Sequence, residues 1–364
     1  MFRPTRVFLA EDALSHNIQW LRHRLGSAKM VGMVKANAYG HGLWDITRRI
    51  AGKVDMLGVA SIDEALFLRG KGLTVPILLS EGMFSPQEWP EILHHDLDTV
   101  VHTSEQIEWM TWHQDKVRKV RVWIKIDTGM GRLGFLPNDQ IPDLLVRLKR
   151  HPHIREDVGI MSHFACSHNP NDDHNMYQIH QFRSIDTMLS THKGPRSLCN
   201  SGGMIHFHSC HYDYVRAGIA LYGIHPSSHQ TGTDLGLRPV MRFVSSLIAV
   251  NTLPKGHSVG YGHGYICNTD MPVGIVAVGY GDGYPYRAMG GYVMIRGIPC
   301  PVIGAVSMDM IAVDLRSCIK ACVGDDVVLW GDKGLYVEQL ADAIHSSAYV
   351  LITGIKKRVE YIWV

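Results

Sequence analysis

A chain of 364 residues, 46% of them hydrophobic, can bury a large core, and that length favours one large domain joined to a smaller one. Thirty-six basic against 34 acidic side chains leave a formal charge of +2, and no run of like charge marks a nucleic-acid or anionic-membrane surface, so a small molecule is the expected partner. The N-terminus lacks an apolar signal core, no stretch approaches the roughly 18 apolar residues of a membrane span, and seven scattered cysteines form no C-x-x-C pair, so a cytosolic enzyme with free thiols is expected.

From Met30 to Arg216, short apolar runs alternate with longer amphipathic stretches, as in βα units. The predicted strands are Met30–Lys35, Asp55–Ala60, Pro76–Leu79, Leu97–Val101, Val120–Ile126, Val158–His163, Arg196–Cys199 and Asp213–Arg216. Between them, Ser61 to Glu64 reads as an S-x-x-E capping box, and Thr103–Trp109 opens a helix. Eight such repeats match a (β/α)8 TIM-type barrel, although a doubly wound sheet has the same local signature.

Beyond about Arg238, apolar runs alternate with Gly/Pro turns: Phe243–Val250, Val273–Val278, Tyr292–Ile295, Pro301–Val306, Ile311–Leu315 and Val327–Trp330. This pattern predicts a C-terminal mainly antiparallel β domain. The join is expected at the polar stretch Ser227–Gly236, giving a barrel over 10–236 and a β domain over 1–9 and 237–364. His206, His208, Cys210 and His211 cluster in a segment that reads as loop or short helix; ligands without a converging geometry do not make a metal site, and none is expected.

In a barrel the strand C-termini face the active site, so Lys35, at the end of the first barrel strand and ahead of Tyr39 and Gly40-His41-Gly42, is a candidate Schiff-base lysine. Taken alone, a lysine at a strand end usually just reaches solvent. The segment VKANAYGHG (34–42) nevertheless resembles the cofactor-lysine signature of alanine racemases, pyridoxal 5'-phosphate enzymes with this barrel-plus-β organisation. Seven further blocks agree in order: IDTGMGRLGF (126–135), SHFA (162–165), NSGG (200–203), VRAGIALYG (215–223), VGYGHGY (259–265), GYGDGYP (279–285) and GAVSMDM (304–310).

The resemblance implies roles that the residue types can fill. Tyr39, Ser201, Tyr349 and the backbone N–H groups of Gly218 and Ile219 match the family's phosphate ligands, with Asn200 beside them; Ser201 alone would read as a helix N-cap. Arg216 corresponds to the arginine facing the pyridine nitrogen, where it makes the ring a weaker electron sink than an acid would and so favours racemisation over transamination. Lys35 and Tyr261 match the two acid/bases on opposite faces of Cα, and His163 with Arg216 matches the chain that lowers the tyrosine's pKa. Arg132 and Met308 match residues that place the substrate carboxylate, and Lys125 matches a lysine that can carry a carbamate. Tyr261 and Met308 are expected in the partner's active site, which implies a homodimer.

Three positions depart from the family pattern. Ala305 stands where arginine is common, Tyr286-Arg287 follows Pro285 where arginine often comes directly, and Arg358-Val359-Glu360-Tyr361 replaces R-V-P-R. The first two put substrate scope in doubt, not reaction type: alanine is expected, with serine or a broader amino-acid range as the alternative. A decarboxylase of the same architecture would pair the pyridine nitrogen with an acid, and a pyridoxal-phosphate-binding regulatory protein would lack the β domain. A barrel without the cofactor would leave the ordered blocks unexplained.

Overall fold

The computed structural model describes residues 2–112, 118–138, 140–227 and 229–364, so residue 228 of the expected join lies outside the described residues. The chain forms two compact units: Ile18–Ala38 with Gly42–Leu221, and Met1–Asn17 with Tyr39–His41 and Tyr222–Val364. After β1 (Arg6–Leu9), the first unit carries β2 (Lys29–Met33), β3 (Met56–Val59), β4 (Ile77–Leu79), β5 (Leu97–Val101), β6 (Val122–Lys125), β7 (Gly159–Met161), β8 (Arg196–Ser197) and β9 (Tyr214–Ala217).

These eight strands are parallel, in the order β8-β7-β6-β5-β4-β3-β2-β9. They are almost wholly buried because side chains fill one face and helices cover the other, which is why they read as continuous apolar runs. Pairing of β2 with β9 wraps the sheet round, which an open doubly wound sheet does not do. Between β8 and β9 the backbone is bridged by Asp213 N to Arg196 O (3.1 Å) and Arg216 N to Cys199 O (2.9 Å) instead of a continuous ladder. The unit is a near-closed (β/α)8 barrel.

Most barrel strands are shorter than their apolar runs, and the difference matters at the C-terminal ends. Lys35 lies past β2 rather than in it, and His163 lies two residues past β7, because the backbone there bonds to side chains instead of a neighbouring strand. The expected capping box does not form. Ser61 makes no side-chain cap bond, and Glu64 instead accepts from Ala60 N (2.8 Å) and Ala36 N (2.7 Å), bare donors just beyond β3 and β2. Thr103 does cap the helix Ser104–Trp109, accepting from Gln106 N.

The second unit contains β1 together with β10 (Met241–Leu253), β11 (Ser258–Val259), β12 (Tyr265–Ile266), β13 (Met271–Val276), β14 (Tyr292–Ile295), β15 (Ile298–Ile303), β16 (Ile311–Asp314), β17 (Asp326–Trp330) and β18 (Glu360–Trp363). The long β10 pairs with β17 along its first half and β13 along its second, with a register irregularity between Leu247 and Ala249. The path β10-β13-β16-β15-β14-β17 therefore closes on itself and removes its own edges. β1 pairs antiparallel with β10 and parallel with β18; the other ladders are antiparallel, as expected. No helix among the described residues is long and apolar enough to cross a membrane.

Candidate active site

Lys35 opens an unusual turn. Ala36, Asn37, Ala38 and Tyr39 all have φ between 52° and 56°, the left-handed region that L-residues avoid at about 1–2 kcal/mol each. Local bonds hold this conformation: Ala36 N to Glu64, Ala38 N to Val34 O (2.8 Å), Gly42 N to Asn37 O (3.0 Å) and Leu43 N to Asn37 Oδ1 (2.8 Å). Lys35 Nζ meets Glu81 Oε1 at 3.3 Å; Glu81 follows β4, so both groups sit just past strand C-termini.

Across the same end of the barrel, Arg216 on β9 is 4% exposed. Its guanidinium donates to Ser197 Oγ, to Ser162 O (2.6 Å), to Leu198 O (3.1 Å) and towards His163 Nδ1 (3.2 Å). None of these acceptors is a carboxylate, so burial is not offset and the guanidinium's pKa falls to about 10, leaving it a cation at neutral pH. His163 lies well below the ordinary histidine value, through burial and then the charges of Lys125 and Arg216, so its ring is neutral.

That ring faces two donors, Arg216 Nη2 at Nδ1 and Asn200 Nδ2 at Nε2 (3.3 Å). The orientation of the Asn200 amide is set by Oδ1, which accepts from Gly203 N (3.0 Å) and Ser167 Oγ (2.7 Å), while Nδ2 donates to Phe164 O (3.2 Å). A neutral imidazole accepts at one nitrogen only, and the cation is the stronger donor. This assigns the acceptor role to Nδ1 and the proton to Nε2.

Asn200, not Ser201, is the N-cap of the helix Ser201–His206, a correction to the sequence expectation. Ser201 Oγ is thereby released to accept from Gly218 N (2.9 Å) and Ala220 N (3.4 Å), tying the turn after β8 to the turn containing Ile219 after β9. Lys125, the last residue of β6, is buried. Burial first, then Arg216, Arg132 and Lys35, hold its amine well below the usual lysine value, while Asp127 pulls the other way. Asp127 Oδ1 is occupied by the N–H groups of Gly129, Met130 and Gly131, which fold the loop carrying Arg132.

In the second unit, Tyr39 stacks on Tyr222 (5.0 Å between centroids) and packs at a tilt on Tyr349 (6.1 Å). Burial and then Tyr349 push the Tyr39 hydroxyl's pKa up, so it is a neutral donor. Tyr261 lies between β11 and β12 and is 76% exposed; Met308 is 54% exposed. The loop holding Met308 is braced by Gly281 N to Met308 O (2.9 Å) and by buried Asp282, which accepts from Arg3 and Arg358. Ala305 lies beside the Tyr261 loop, its N 3.3 Å from where a Cβ on Gly260 would be.

Comparison with known proteins is decisive on family. Residues 9–226 match the alanine racemase N-terminal domain and residues 240–363 the alanine racemase C-terminal domain. The chain is 42% identical over 355 residues to the biosynthetic alanine racemase of Escherichia coli O6:H1 and 40% identical over 356 residues to the alanine racemase of Shewanella baltica, covering 97% of each chain in both cases. The crystal structure of the biosynthetic alanine racemase from Pseudomonas aeruginosa superposes with a TM-score of 0.94 at 34% identity, over 100% of both chains.

The chain belongs to the alanine racemase family.

Alanine racemases are pyridoxal-phosphate enzymes, and the barrel residues fit that group. A lysine is free of any strand, a buried arginine bonds to no acid among the described residues, and a serine hydroxyl and N–H donors cluster at adjacent strand ends. Sequence reading missed Glu81, Glu64 and Gln178. Glu81 carries a usable signal, an acid two residues past a barrel strand as Lys35 is two past another; Glu64 reads as part of its own helix's cap; Gln178 sits mid-helix with nothing local to mark it.

Proposed function

We propose that this protein interconverts L- and D-alanine with pyridoxal 5'-phosphate by a two-base mechanism. The observation that carries the reading is His163 held between Arg216 Nη2 at Nδ1 (3.2 Å) and Asn200 Nδ2 at Nε2 (3.3 Å), with no carboxylate bonded to Arg216 among the described residues. When bound, the cofactor supplies the electron sink that acidifies the substrate's α-proton. Lys35 would hold the cofactor covalently and would serve as acid/base on the D face. Tyr261 of the partner subunit serves the L face. His163 Nε2–H donates to the phenolate of that tyrosine and lowers its pKa, and Arg216 keeps the imidazole from charging. Arg216 would also be the group facing the pyridine nitrogen, and it would not give up a proton to it. That arrangement favours return of the proton to carbon and disfavours decarboxylation chemistry.

In the same reading Tyr39, Ser201, Tyr349 and the N–H groups of Gly218 and Ile219 hold the phosphate, with Asn200 fixing the turn that presents Ser201. Arg132, backed by a carbamate on Lys125, and the backbone of Met308 from the partner receive the substrate carboxylate. The small side chain of alanine is the best match, serine being only one hydroxyl larger.

The test is loss of optical rotation from L-alanine, L-serine, L-lysine and L-arginine, with cofactor added and a Lys35→Ala control. Rapid racemisation of alanine alone, abolished in the control together with the visible absorption of the bound cofactor, is expected. Racemisation of the longer substrates would replace alanine by a broader class. Bound cofactor without any racemisation would overturn the reading.

A further inference from the structure

Strand bonding at the end of β7 stops at Ser162, whose N donates to Ser197 O on β8 (2.9 Å), yet the following residues must deliver His163 to Arg216 with its ring correctly turned. One side chain supplies the missing backbone partners. Gln178, fully buried on the helix Asp173–Met188, donates from Nε2 to His163 O (2.9 Å) and accepts at Oε1 from Ala165 N (2.8 Å), so its amide brackets Phe164. Nε2 also reaches Thr128 Oγ1 (3.3 Å); Thr128 meets Ser162 Oγ (2.7 Å), which donates to Ile126 O (2.8 Å). The residue before His163 is thus tied to the segment just past β6, and those on either side of Phe164 to the helix.

We propose that Gln178 is a positioning residue for the L-face proton transfer, acting through His163. The inference rests on the reading that His163 serves Tyr261. Gln178 touches neither substrate nor cofactor; its amide fixes the peptide that aims the imidazole. An apolar residue of similar size would deprive His163 O and Ala165 N of these partners, and the segment would shift to find others. A misplacement on the order of 1 Å costs up to about 100-fold in rate. Lys35 stands on another strand end and would be unaffected, so the loss falls on one of the two proton transfers.

That asymmetry separates positioning from general destabilisation. In Gln178→Leu, kcat should fall about 10- to 100-fold, while titration of the cofactor-free protein should show affinity for pyridoxal phosphate changed less than about twofold, because the phosphate and lysine contacts lie elsewhere. The primary isotope effect with Cα-deuterated L-alanine should rise, since removal of that proton becomes more limiting. With Cα-deuterated D-alanine it should fall, since return of the proton on the L face now limits. Gln178→Glu provides a second arm should the leucine variant fold poorly: its carboxyl keeps the acceptor for Ala165 N and, when protonated, restores the donor to His163 O. Its activity should therefore be highest at low pH and decline as pH rises through the carboxyl's pKa, beyond the change seen in wild type.

Equal isotope effects from both enantiomers in Gln178→Leu, or a Gln178→Glu profile parallel to wild type, would overturn the proposal. Tyr261→Phe distinguishes the two levels. If it also leaves the isotope effects symmetric, the L-face reading falls and the proposal with it; if it makes them asymmetric while Gln178→Leu does not, only the role of Gln178 is lost.

Discussion

Lys125 shows how one position draws its chemistry from its surroundings. On the last residue of β6 its amine is desolvated and flanked by Arg216, Arg132 and Lys35, so a fourth positive charge is disfavoured and the equilibrium shifts towards the neutral form. A neutral amine is a nucleophile. Attack on carbon dioxide forms an N–C bond and releases one proton, replacing a neutral group by a monoanion among three cations. The expected outcome is a protein-bound carbamate resonance in carbon-13 NMR after equilibration with labelled bicarbonate, missing from Lys125→Ala. A wild-type spectrum without that resonance would show that the cations are balanced another way.

At the scale of the element, the turn after β2 concentrates strain that the surrounding bonds must offset. Gly40, which closes it, has φ +80°, and a Cβ there would lie 1.9 Å from Ile352 O. Its carbonyl accepts from the Tyr361 hydroxyl at 2.7 Å, an anchor supplied by one of the departures from the family pattern. Gly40→Ala combines a disfavoured φ with a backbone clash, and should reduce unfolding free energy in urea by more than about 4 kcal/mol. A change below about 1 kcal/mol would mean that the turn relaxes freely.

For the whole molecule, the question is what covers Tyr261, Tyr280, Tyr286 and Met308, all substantially exposed on the second unit. The rings of Tyr280 and Tyr286 lie 5.7 Å apart, and Tyr280 N bonds to Ser307 O, so three of the four share one surface. That exposed patch, together with the exposed Tyr261 on the same unit, fits a self-complementary dimer in which each copy completes the other's site. Mixing inactive Lys35→Ala with the strongly impaired Tyr261→Phe should restore about a quarter of wild-type activity, since half the reassorted dimers carry one intact site of two. No recovery after subunit exchange, or an active monomer in sedimentation at assay concentration, would contradict the shared site.

Much of this was legible in the chain itself. The alternation of apolar runs with helices from Met30 to Arg216, and with Gly/Pro turns beyond Arg238, determined a parallel barrel followed by an antiparallel domain, because burial on two faces or one writes itself into periodicity. The ordered motifs around Lys35, Arg132, His163, Arg216, Tyr261 and Met308 determined the family. Tertiary structure decided what depends on distance through space. Closure of the sheet rests on β2 meeting β9, strands far apart in sequence. Glu64 left its expected cap for Ala36, and Asn200 rather than Ser201 took the helix cap, because several bare backbone donors competed for each acceptor. The lowered pKa values of Lys125 and His163 come first from burial at the barrel end and then from charges brought in by other segments, and Gln178 reaches His163 from 15 residues away. Local pattern records which face of an element is buried; it does not record which partner each polar group finds there.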